Sequence, residues 1–100
     1  MDDLTFEWDE HKDALNRDNH GVSFNEARTV FFDPRALVID DPDHSAQEER
    51  FIILGYWRAL RLLVVVHCYR AAQSTIRIIS ARKATKHESS RYPGGARHGK

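Results

Sequence analysis

The spacing of apolar residues changes period near residue 35. Upstream, "DEHKDALNRDNH" runs through good helix formers from Asp9, a suitable N-cap, to His20. Acidic residues at its front suit the positive end of the helix dipole, and Gly21 suits the left-handed position that follows a helix. "SFNE" comes next. Ser23 with Glu26 three residues later spells a capping box, with Val22 placed to staple onto Ala27. This predicts a second helix from Phe24 to about Phe31, stopped by Pro34, with Phe24, Ala27 and Val30 or Phe31 on one face. From Arg35 the period is two. "RALVID", "ERFIILGYW", "RLLVVVHCYR" and "STIRIISAR" read as four strands, and "DPDHS" as the turn after the first. Their short connections favour an antiparallel meander. "LTFEW" alternates as well and can add a short edge strand; "KATKHESSRY" predicts a last helix.

The expected fold is α+β: an N-terminal helical hairpin packed on a roughly four-stranded antiparallel sheet with a short C-terminal helix. A single domain is expected over residues 1–92, with a loose basic tail, "PGGARHGK", over 93–100. Strands two to four are apolar on both faces near their middles. The hairpin can cover one face, and the short last helix only part of the other, which leaves a surface for a partner.

Composition alters this picture in one respect. The net charge is zero, yet residues 1–48 carry −9 and residues 49–100 carry +9. Such a split suggests a basic region suited to phosphates or an acidic protein, or else two halves that neutralise each other in the fold. The longest apolar run, Leu62 to Val66, is far short of a membrane span, the N-terminus is acidic, and Cys68 is the single cysteine. A cytoplasmic protein without a membrane partner is the expectation.

Regular alternation sorts the candidate residues. It groups Leu63, Val65, His67 and Tyr69 on one face of the third strand. On the fourth it sets Arg77, Ile79 and Ala81 against Ile76, Ile78, Ser80 and Arg82. Arg77 interrupts an apolar strand, which is costly unless it faces solvent or meets an anion, a pair with Glu49 or an aspartate being the structural option. His67 reads first as a hydrogen-bonded structural residue. It becomes a candidate acid or base because Tyr69, Arg77, Arg82 and Lys83 belong to adjoining strand ends. The six histidines show no ligand spacing that defines a metal site, and no Gly-rich phosphate loop or nucleophile elbow is present. Neither metal nor cofactor is expected.

"FEWDEHK", "HGVSFNEA", "VFFDP", "HSAQEERF", "RLLVVVH" and "RIISARKAT", in this order from about Leu4 to Tyr92, resemble the BrnT family of bacterial type II toxin–antitoxin systems. The resemblance implies a RelE-like fold and a ribonuclease that inhibits translation. It also implies a BrnA-like antitoxin with a ribbon–helix–helix region, in a heterotetramer or larger assembly that reaches operator DNA only through the antitoxin. It puts functional weight on Glu49, Arg50, His67, Arg77, Arg82 and Lys83. Departures from the family pattern are Asn19 in place of a basic residue and the texture of "GYW" and "YRAAQS", changes suited to altered antitoxin contacts.

RNA cleaved by its own 2′-hydroxyl needs a base, an acid and cations for the charge growing on phosphate. The expected catalytic residues are therefore His67, Arg77, Arg82 and Glu49, and the expected RNA-binding residues Lys83, Arg50, Tyr69 and Lys86. Two other classes compete. The segment from His11 to Phe31 has the outline of a helix-turn-helix DNA reader, but its second helix offers only Arg28 as a cation. A non-catalytic interaction module using the open sheet face is the third possibility.

Overall fold

The structure, a computed structural model, describes residues 4–40, 49–58, 61–70 and 74–93. The chain begins with β1 (Thr5–Glu7), α1 (Glu10–His20) and α2 (Phe24–Ala27), and α2 runs on into a 3-10 segment, Arg28–Phe32. Then come β2 (Leu37–Asp40), β3 (Phe51–Trp57), β4 (Arg61–Arg70), β5 (Thr75–Lys83) and α3 (Lys86–Ser89). The "DPDHS" turn and residues 94–100 of the expected tail lie outside the described residues.

The caps form as the sequence requires. Asp9 accepts from the backbone N–H groups of His11 and Lys12 at 2.8 and 3.2 Å, and Gly21 takes the left-handed position at φ 69°. Those two N–H donors hold the Asp9 carboxyl below its ordinary range. Ser23 and Glu26 make both bonds of their capping box, each at 3.0 Å.

Two expectations need correction. The second helix is one turn long, because Thr29 and Val30 are β-branched and the chain tightens to 3-10 geometry at Arg28. The N-terminal unit is therefore not a hairpin of two full helices. Phe24, Ala27 and Val30 on its inward side are fully buried. The sheet has five strands rather than four, in the order β1-β5-β4-β3-β2, and it is mixed. β2 to β5 form the antiparallel meander, while β1 adds to β5 in parallel through Thr5↔Thr75, Phe6↔Ile76 and Glu7↔Arg77.

β1 covers only the start of β5. Further along, the exposed edge of β5 is met by a side chain. Asn16, buried on α1, donates to the Ala81 carbonyl at 2.8 Å and accepts from the Ala81 N–H at 3.1 Å. The amide so replaces the missing strand and fixes α1 against the sheet; its second N–H bonds Val22 O at 2.8 Å. Asp13 links the two helices by accepting from Phe24 N at 2.8 Å.

The inner face, beneath α2 and the 3-10 segment, holds the main core: Val22, Phe24, Ala27 and Val30 against Ile53, Leu63, Val65, Ile76, Ile78 and Ala81. Full burial of its valine, leucine, isoleucine and phenylalanine side chains contributes about 1.5–3 kcal/mol each. Gly55 lies where the 3-10 segment crosses, and a Cβ there would come within 2.8 Å of Val30 Cγ1. The outer face carries a smaller cluster, Leu54, Tyr56, Leu62, Val64 and Tyr92, with Leu37, Ile52 and Ala84 beside it. Asp33 Oδ2 joins the layers, accepting from Tyr56 N at 2.9 Å and from the Tyr92 hydroxyl at 2.7 Å.

Candidate active site

Regular alternation sends Arg77 and Arg82, five residues apart, to opposite faces. The backbone does otherwise. His67 pairs with Ile78 but Val66 pairs with Ser80, so Ile79 is an extra, unpaired residue and β5 is bulged. The bulge resets the phase: Ala81 joins Ile76 and Ile78 in the inner core. Arg77, opposite Cys68, and Arg82, opposite Val64, share the outer face.

Both guanidiniums are held by carboxylates. Arg77 Nη1 donates to Glu7 Oε2 at 2.9 Å, so its partner is the β1 glutamate and not Glu49. Arg70 also faces outward and brings its Nε to 3.8 Å from the same oxygen. Arg82 makes a forked pair with Glu88 of α3, Nη1 to Oε1 at 2.9 Å and Nη2 to Oε2 at 2.8 Å. Hydrogen bonding from Arg82 is the main reason that Glu88 falls from 4.5 to about 2, and the same contact raises Arg82. Glu88 Oε1 additionally accepts from Thr85 N at 2.8 Å, closing the capping box of α3. Beside this pair runs an apolar groove of about 230 Å³, floored by Ile52, Leu54 and Val64, with Glu88 and Arg91 among its lining.

His67 does not join these arginines. It lies on the inner face, is 0% exposed, and packs edge-on against Phe31 at 4.7 Å and Tyr69 at 5.4 Å, with Phe51 at 6.1 Å. Burial lowers its pKa from 6.5 to about 4 and the ring is neutral. Its Nδ1–H donates to Val65 O at 3.2 Å, which leaves the buried Nε2 with no hydrogen-bond partner among the described residues. The expected adjacency of His67 to Arg77 and Arg82 is thus corrected: the sheet itself separates them.

The other candidates divide in the same way. Tyr69 is on the inner side but 38% exposed at the rim, its ring tilted against Phe51 at 5.4 Å. Lys83 pairs with Leu63 and is exposed on the inner side; Lys86 is exposed at the start of α3. Glu49 is exposed and Arg50 half-buried just before β3. Because Phe51 pairs with His67 and the next residue of β4, Cys68, pairs with Arg77, Glu49 and Arg77 belong to the same end of the sheet. Sequence reading passed over Glu7, Arg70 and Glu88. Glu88 had a local signal, the Thr85-x-x-Glu88 box; the other two depend on β1 meeting β5 across about seventy residues.

This fold has a solved counterpart. The crystal structure of the Brucella abortus ribonuclease toxin BrnT superposes with a TM-score of 0.64 at 22% identity, covering 84% of this chain and 100% of that one. A family model described as the ribonuclease toxin, BrnT, of type II toxin–antitoxin systems matches residues 8–88. The chain belongs to that family. No curated protein matches it.

Proposed function

We propose that this ribonuclease toxin cuts RNA by metal-independent attack of the 2′-hydroxyl on the adjacent phosphorus, and that the cut inhibits translation. The observation that carries the reading is the bulge at Ile79, which gathers Arg77 and Arg82 on the half-covered outer face. Guanidinium suits this task because it stays charged and its planar fork matches phosphate oxygens. Cys68 and Val64, their partners on β4, are four residues apart, about 13 Å at roughly 3.3 Å per residue. The two arginines therefore hold different phosphates of one strand, and Arg77 lies at the end where Glu49 serves as base for the 2′-hydroxyl. Tyr69 at the rim offers a ring for base stacking, and Arg50, Lys83 and Lys86 steer the backbone toward the sheet. As the 2′-oxygen bonds to phosphorus the P–O5′ bond breaks, and the leaving 5′-oxygen takes its proton from solvent water and not from His67, whose ring is shut inside the inner core.

The neutralising partner in this reading is a BrnA-like ribbon–helix–helix antitoxin that covers the outer face. The apolar groove beside the Arg82–Glu88 pair supplies contact area next to charge, which suits an acidic, amphipathic segment. Operator DNA is then reached through the antitoxin.

The test uses the full chain and a single-stranded RNA in buffer with a chelator. Cleavage should persist and leave 2′,3′-cyclic phosphate ends. Arg77→Ala and Arg82→Ala should each lower the rate about 100- to 1,000-fold, the loss typical of a missing charge donor in a transition state. Unchanged cleavage and growth inhibition in both variants rejects the assignment.

A further inference from the structure

Two carboxylates hold arginines on the outer face, and they are not equivalent. Glu88 is fixed three times over, by both forks of Arg82 and by the backbone of Thr85. Glu7 has no such anchor. Among the described residues its carboxylate meets Arg77 and Arg70, with Oε2 at 2.9 Å from Arg77 Nη1 and 3.8 Å from Arg70 Nε. An acidic oxygen lodged between two guanidiniums stands where a non-bridging phosphate oxygen would sit. The site is open, with side-chain exposures of 42% for Glu7, 52% for Arg70 and 32% for Arg77. The strand carrying Glu7 is three residues long, and rotation of its side chain is enough to withdraw the carboxylate from Arg77 Nη1.

We propose that Arg70 and Arg77 form a phosphate clamp for RNA whose resting occupant is the Glu7 carboxylate, so that Glu7 sets how tightly RNA is held. This rests on the nuclease reading above and adds to it a cation, Arg70, and an internal competitor. Exposed ion pairs are weak, so the competitor is displaced at small cost, and its removal changes affinity by a small factor. Arg70 and Arg77 then act as one unit: Arg77 donates the short hydrogen bond to the β1 carboxylate, and Arg70 Nε approaches the same oxygen to 3.8 Å.

The experiment measures binding of a fluorescent single-stranded RNA that is 2′-O-methylated throughout, so that it cannot be cut, at several salt concentrations. Glu7→Gln should bind about two- to fivefold tighter than the parent chain, the range expected for losing an exposed ion pair. Glu7→Asp should fall between the two. Asp18→Asn, an exposed site on α1, makes the same change in net charge and should leave affinity within about 1.5-fold, since screening confines charge effects to about 10 Å. Arg70→Ala should weaken binding about fivefold and flatten the salt slope by about one. When Glu7→Gln is combined with Arg70→Ala, the gain from Glu7→Gln should vanish, because its benefit passes through Arg70. A gain no larger than that of Asp18→Asn, or one that survives alongside Arg70→Ala, overturns the clamp while leaving the nuclease reading intact. A parent chain that does not bind the RNA overturns both.

Discussion

The two faces of this sheet are built to different specifications. On the inner face Leu63, Val65, Phe24 and Val30 are fully buried, and even the imidazole of His67 is shut away from solvent and neutral. On the outer face α3 covers only part of the strands, the groove is open, and arginines meet carboxylates that are between a quarter and a half exposed. The inner layer holds the fold together, and the proposed function places RNA binding on the outer layer. A chain of this size has a modest core, so giving one face to function leaves stability concentrated in the other.

Neighbours in sequence test that division most sharply. Leu63 and Leu62 point to opposite faces, at 0% and 8% exposure. In urea unfolding, Leu63→Ala should cost close to the top of the ~2–5 kcal/mol range for buried leucine and Leu62→Ala close to the bottom, because the open face can relax around the gap. Equal losses would show that the outer layer is as tightly packed as the inner.

The next effect is in pH. His67 titrates near 4 in the folded chain and near 6.5 when unfolded. Between those values the unfolded state binds the extra proton, so stability falls as pH drops through 6.5 and the loss is complete near 4. Its ceiling is of order 3 kcal/mol. His67→Leu should remove that loss, seen as a flatter stability curve across pH 7 to 4 than the parent's; parallel curves would place the histidine in contact with water.

The smallest effect belongs to the outer face. Glu88→Gln should lower stability at pH 7 by only about 1 kcal/mol, since the pair is partly solvated. Glu88 is held down to about 2, so its contribution is present above about 4.5 and fades as pH falls toward 2. Melting curves of the two proteins should therefore converge in strong acid. A large loss at pH 7 would mean that α3 anchors more of the fold than its single turn suggests.

Much of the architecture was legible because it is written locally. Asp9, Gly21 and the Ser23–Glu26 box mark helix ends through bonds to their own neighbours, and β4 shows as an unbroken apolar run rich in valine. The parallel docking of β1 was not legible, since it joins Phe6 to Ile76 with no pattern linking them. Nor was the bulge: "RIIS" contains no glycine and reads as a regular strand. That one irregularity is why strand alternation sorts Ala81 and the two arginines wrongly; His67 was grouped with cations it does not face because all of them belong to adjoining strand ends. Arg77 and Arg82 themselves stood out because charge within an apolar strand needs a reason.

The unpaired Ile79 also changes how related chains must be compared. With it, cations at an odd interval look the same way; without it, an even interval gives the same presentation. Two homologues can thus place matching guanidiniums while disagreeing by one position in a gapless alignment, so equivalence here has to be judged by direction across the ladder and not by counting letters.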